Sequence, residues 1–223
     1  MLRISVSDLE TIRYWRASED SKLEDLVARL THADPPSFQM EAGAAMARLF
    51  EFATPRAIDE WTDGETGWNF RFEIGEERFV LPAVRELKAE VVFQTPSGAV
   101  TLVGKVDGLD GLTVHDQKLT EKFDAERYVD SLQWRSYLVM FGAKAFTYDV
   151  FVGKYDAGEV DGVRTLKSKT VTIREYHALT FYAYPGIRAD VERAVAELAD
   201  VIVRYNIPNR GVSHEAPAIG AAS

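Results

Sequence analysis

A chain of 223 residues can bury one sizeable core and is short for two full domains, so a single domain over residues 1–223 is expected. Hydrophobic residues at 46% and charged residues at 27% exclude general disorder, and the absence of cysteine excludes disulfides, thiolate-held zinc, iron–sulfur clusters and a cysteine nucleophile. A net charge of −9 excludes binding to nucleic acid through the overall field, leaving a local basic groove or carboxylate-held cations for such contact.

From the N-terminus, MLRISVSDLE turns polar too early for a secretory leader and no run of about 18 apolar residues follows, so a cytoplasmic location is expected. Ser5 or Ser7 offers an N-cap to a first helix, and KLEDLVARL from Lys22 has the apolar spacing of a second. Pro35 and Pro36 break the chain, after which SFQMEAGAAMARLFEFA reads as a helix with Ser37 near its cap, closed before Pro55. The acidic run from Asp59 to Glu65 reads as an exposed helix end or loop.

From about Asn69 the segments FRFEI, ERFVL, AEVVFQ and VTLVGKVD favour strands, with EIGEER and TPSG as turns, which predicts an antiparallel meander. VDGLDGLTVHDQKL predicts a hairpin turning around residues 108–111. FDAERYVDSLQWRSYLVMFG places Tyr128, Leu132, Trp134, Tyr137, Leu138 and Phe141 at helical intervals and predicts one long helix ending at Gly142. FTYDVFVGKY and SKTVTIREY read as strands. IRADVERAVAELADVIVRY reads as a terminal helix with a stripe through Val191, Val195, Leu198, Ile202 and Tyr205, and a loose tail follows from about Gly211. The sum is an α/β fold, a central mixed β-sheet flanked by helices.

The chemistry concentrates in the hairpin. Side chains two apart on a strand share a face, so Leu112, Val114, Asp116 and Lys118 project together, and Asp107 enters from the adjacent strand near the turn. Two carboxylates within reach of one hard cation outline a site for Mg²⁺, with Mn²⁺ as substitute, and a neighbouring ammonium can orient a water or offset charge on a phosphate.

GKVDGLDGLTVHDQKL resembles the core signature of PD-(D/E)XK nucleases, in the RecB-like and phage lambda-type exonuclease branch. Gln133 and Tyr137 match that branch's Q-x-x-x-Y motif, and GAAMARLFE resembles its helical motif through Gly43 and Glu51, with Ala47 where the family has His. The resemblance spans roughly residues 37–152 and implies a restriction-endonuclease-like core of the cysteine-free, cluster-free kind. It further implies Glu51, Asp107, Asp116 and Lys118 as catalytic residues, and Asp107, Asp116, Glu51 and the Gln117 carbonyl as metal ligands. Gln133 and Tyr137 would then engage nucleic acid.

The implied activity is metal-dependent hydrolysis of DNA phosphodiesters, by an exonuclease on duplex ends in phage or bacterial recombination and repair. DNA is the implied partner, and a single-strand annealing protein and a homo-oligomer threading DNA fall within what such relatives do. A structure-specific or single-strand endonuclease would use the same core, and a non-catalytic DNA-binding or assembly protein could keep the fold.

Taken singly, each residue has a plainer reading. Asp107 beside Gly108 is a common turn pair, and Gln133 and Tyr137 suit any half-buried helix face. Glu51 would pass for a solvated helix carboxylate. His115 faces away from Asp116 and reads as structural. Lys122, Arg127 and Arg135 usually belong to a solvated face, and Trp15, Trp61, Trp68 and Trp134 to core or edge packing. No G-x-x-x-x-G-K-[ST] phosphate loop occurs.

Overall fold

The structure, a computed structural model, describes residues 1–33, 35–53, 59–74, 81–160 and 162–208. In chain order these form β1 (Leu2–Ser5), α1 (Val6–Ala17), α2 (Leu23–Thr31), α3 (Phe38–Phe52), β2 (Glu60–Thr62), β3 (Asn69–Phe72), β4 (Val84–Thr95), β5 (Gly98–Asp110) and β6 (Thr113–Thr120). Then follow α4 (Glu126–Val129), α5 (Leu132–Phe141), β7 (Ala145–Val160), β8 (Val163–Tyr182) and α6 (Ile187–Arg204). The fold is mixed α/β, a central eight-stranded mixed sheet flanked by helices, as the sequence pattern predicts. Among the described residues no helix is long and apolar enough to cross a membrane.

The strands run in the order β1-β5-β6-β7-β8-β3-β2, with β4 also paired to β5. The β1/β5, β6/β7 and β3/β8 pairs are parallel and the others antiparallel. Alternation along the strands divides the apolar side chains between two cores. Val150 joins Val114, Phe146 and Tyr148 in the core beneath α1, α5 and α6, whereas its neighbour Phe151 joins Trp68, Phe70 and Ile173 in the core beneath α3. α5 and α3 therefore cover opposite faces of the sheet.

Local signals set the helix ends. Ser5 caps α1 in a capping box with Asp8, Ser37 caps α3 by accepting from Met40 N at 3.3 Å, and α5 stops at Gly142 in the left-handed region. The α6 stripe buries Val191, Val195, Leu198 and Ile202, but Tyr205, at the C-cap, is 45% exposed.

Several expectations are corrected. The meander is confined to the β4/β5 hairpin, because β3 lies across the sheet beside β8 and β2. Residues 75–80, which take in most of EIGEER and of ERFVL, lie outside the described residues, as does the tail from Gly211. The run at 59–65 is no exposed loop throughout: residues 60–62 form β2, and Asp63 is buried in an ion pair with Arg48 on α3. The helix expected over residues 123–142 is two, since Asp130 and Ser131 interrupt it and Ser131 caps a fresh start by accepting from Gln133 N at 3.1 Å. An unmarked strand, β1, precedes α1.

Candidate active site

A gap in the sheet creates the site. β4 runs the length of one side of β5, while the other side is shared: β1 pairs with residues 100–103 and β6 with residues 108–110. Among the described residues no strand pairs that side of residues 104–107. Peptide groups there need other partners. The Lys105 carbonyl accepts from the Tyr137 hydroxyl at 2.8 Å, and the Gln117 N–H, past the last β5/β6 rung, donates to Asp107 Oδ2 at 2.7 Å. On the β4 side, too, the ladder skips Asp107. Glu86, opposite it between the pairs Arg85–Gly108 and Leu87–Val106, has φ 56°, unusual for a non-glycine strand residue, and its carboxylate pairs with Lys105.

Around the gap stand Asp107, Asp116 and Lys118. Asp116 is 4% exposed; its Oδ1 accepts from Gln133 Nε2 at 2.7 Å, and Lys118 Nζ is 2.6 Å from Oδ2. Oδ2 therefore has the Lys118 ammonium as its partner, and Oδ1 the Gln133 carboxamide. Burial, with the Asp116 charge next, pushes the Asp107 carboxyl up to about 7 against the pull of Lys118 and the Gln117 N–H. Burial also raises Asp116, opposed by Lys118, with Asp149 and Glu10 adding to the rise. For Lys118 burial works against the charge, but Asp116 and Asp107 outweigh it and the net movement is upward.

Two neighbouring carboxylates that burial drives toward protonation, with the Asp116 charge adding to the rise at Asp107, suit a hard divalent cation. N–H and C=O of one strand residue point to the same side, so the Gln117 carbonyl opens on the gap as well. The donor set is all oxygen, as Mg²⁺ prefers.

The other expected residues fall in different places. Gln133 is on the site, bonded to Asp116. Tyr137 is 5% exposed and braces β5 through the Lys105 carbonyl. Glu51 is near the end of α3, on the helix that covers the opposite face. Arg85 holds that end by donating to the carbonyls of Phe50, Glu51 and Ala53 at 3.0, 3.1 and 2.6 Å. Among the described residues no three His, Asp or Glu side chains gather closely enough to share a cation, so Glu51 is not brought to Asp107 and Asp116. Arg135 is engaged by Tyr184, the Ser131 carbonyl and the face of Trp134, whereas Lys122 and Arg127 are exposed.

His115 turns to the opposite face, as alternation predicts, with Nδ1 2.9 Å from Oδ2 of Asp149. Asp149 is 1% exposed and also accepts from the Tyr176 hydroxyl at 2.6 Å. Neither Asp149 nor Glu10 is marked in the sequence, since Asp149 meets His115 and Tyr176, and Glu10 meets Ser131, Leu132 and Gln133, only through tertiary structure.

No family model and no curated protein matches this sequence. Among solved structures, the chain is similar to SSO0001, with a TM-score of 0.46 and 13% identity over 93% of this chain and 79% of that one. It is also similar to LHK-Exo in complex with dAMP, with a TM-score of 0.41 and 12% identity over 91% of this chain and 89% of the other. These likenesses concern overall fold alone.

Proposed function

We propose that this chain is a divalent-metal-dependent nuclease that hydrolyses DNA phosphodiesters, with exonuclease action on duplex ends. The observation that carries the reading is the half-buried Asp107 beside the buried Asp116 and Lys118 in the sheet gap, because a merely structural fold gains nothing from adjacent carboxylates that desolvation penalises. Asp107, Asp116 and the Gln117 carbonyl would hold Mg²⁺ or Mn²⁺, which supplies Lewis acidity and neutralises charge on the phosphodiester.

The chain's own groups do the rest. Gln133 fixes Oδ1 of Asp116 and leaves Oδ2 toward Lys118. Lys118, charged at neutral pH, can orient the attacking water or lend its charge to the scissile phosphate as negative charge grows. With a net charge of −9, attraction for DNA has to be concentrated at this point.

The test is nucleotide release from end-labelled linear duplex and covalently closed circular DNA, with Mg²⁺, with chelator, and with Lys118→Ala. The expected result is metal-dependent loss of the linear substrate alone, abolished by Lys118→Ala. Cutting of the circle makes the enzyme an endonuclease. Failure to cut either substrate with Mg²⁺ or Mn²⁺ refutes the nuclease reading.

A further inference from the structure

The Asp107–Lys118 site depends on a helix whose start is held by a residue from the far end of the chain. Glu10, on α1, is 121 residues before Ser131, yet its Oε1 accepts from the Ser131 hydroxyl at 2.9 Å, from Gln133 N at 2.9 Å and from Leu132 N. Its Oε2 accepts from Arg13 Nε at 3.0 Å and Nη2 at 2.8 Å. A carboxylate thus occupies the N-terminus of α5, where free N–H groups and the helix dipole favour negative charge, and a guanidinium fixes its orientation.

We infer that Glu10 is a positioning residue for the site, holding the first turn of α5 so that the Gln133 carboxamide stays locked on Asp116. Resting on the nuclease reading for its functional consequence, the inference follows an unbroken line of contacts. Glu10 binds Ser131 Oγ, Leu132 N and Gln133 N. The Tyr148 hydroxyl stands between Ser131 Oγ at 2.9 Å and Gln133 Oε1 at 3.4 Å, and Gln133 Nε2 donates to Asp116 Oδ1 at 2.7 Å. Gln133 is only the second residue of α5, where a helix frays first if its N–H groups lack partners. Because of the interruption at Asp130 and Ser131, α5 has no support from a continuous preceding helix, and Gln133 N is held by Glu10 and the Ser131 side chain together.

A purely structural cap would cost stability without selective loss of chemistry. The experiment compares wild type, Glu10→Ala, Glu10→Gln and Arg48→Ala, the last breaking an ion pair beneath α3 on the opposite face. All are assayed where thermal melts show them folded, for kcat, KM and the ¹H–¹⁵N resonances of the Gln133 side-chain amide, assigned with Gln133→Ala. Glu10→Ala is expected to lower kcat about 10-fold, the worth of one well-made hydrogen bond, with KM little changed. Its Gln133 amide should move to the position of solvent-exposed glutamines.

Glu10→Gln keeps an acceptor oxygen and is expected to recover most of the rate, and Arg48→Ala to keep both the rate and the amide position. An unmoved Gln133 amide in Glu10→Ala, or a kcat that falls equally in Arg48→Ala, overturns the inference. If wild type cuts no DNA the nuclease reading falls, and the amide resonance alone still decides the role of Glu10.

Discussion

Replacing Asp107 by Asn should stabilise the metal-free protein while destroying its activity. In the folded chain burial and Asp116 hold the Asp107 carboxyl at about 7, whereas an unfolded aspartate titrates near 3.9. Between those values the folded state keeps a proton that the unfolded state has released. Stability therefore falls as pH rises from about 4 to about 7, and the full loss persists above that. Three pH units set a ceiling of about 4 kcal/mol, and relaxation and water entry at the open gap bring the realised penalty to about 2 kcal/mol. Asn cannot ionise, and its carbonyl can still accept from Gln117 N–H. Asp107→Asn should thus raise Tm by about 6 °C near pH 8 for a chain of this length, with the gain largely gone near pH 4. Thermal unfolding followed by circular dichroism with chelator, at both pH values, measures it. An unchanged or lower Tm for Asp107→Asn at pH 8 would refute the reasoning.

Asp63→Asn should cost about 2–3 kcal/mol by stranding Arg48, read as a shift in urea midpoint at neutral pH, with nuclease activity retained in the folded fraction. The Arg48 guanidinium holds the Asp63 carboxyl well below the usual carboxylate range, so this contribution is present above about pH 4 and fades as pH falls further. Tyr137→Phe should cost about 1 kcal/mol by removing the partner of the Lys105 carbonyl, again read by urea unfolding. Glu51→Gln should leave Mn²⁺ affinity unchanged in a titration of the full chain while Asp116→Asn weakens it, because α3 covers the face away from α5.

By itself the sequence determined what local physics determines. Alternation at Val114, Asp116 and Lys118 put a carboxylate and an ammonium on one face, Ser37 and Gly142 marked helix ends, and the turn at Gly111 set the hairpin register. Gln133 and Tyr137, four apart, were legible as neighbours on one helix face. Long-range pairing was not legible. That β3 sits beside β8, that β1 fills part of one side of β5, and that Asp107 caps a peptide group in the resulting gap depend on which strands meet, and residue spacing carries no record of that. Only the tertiary structure decided that Glu51 stands apart from the strand acids, since the face a helix covers depends on the path of the whole chain. It also decided that Glu10, a routine i,i+3 partner of Arg13 in α1, secures the start of α5, because a carboxylate's role depends on which donors the fold brings to it.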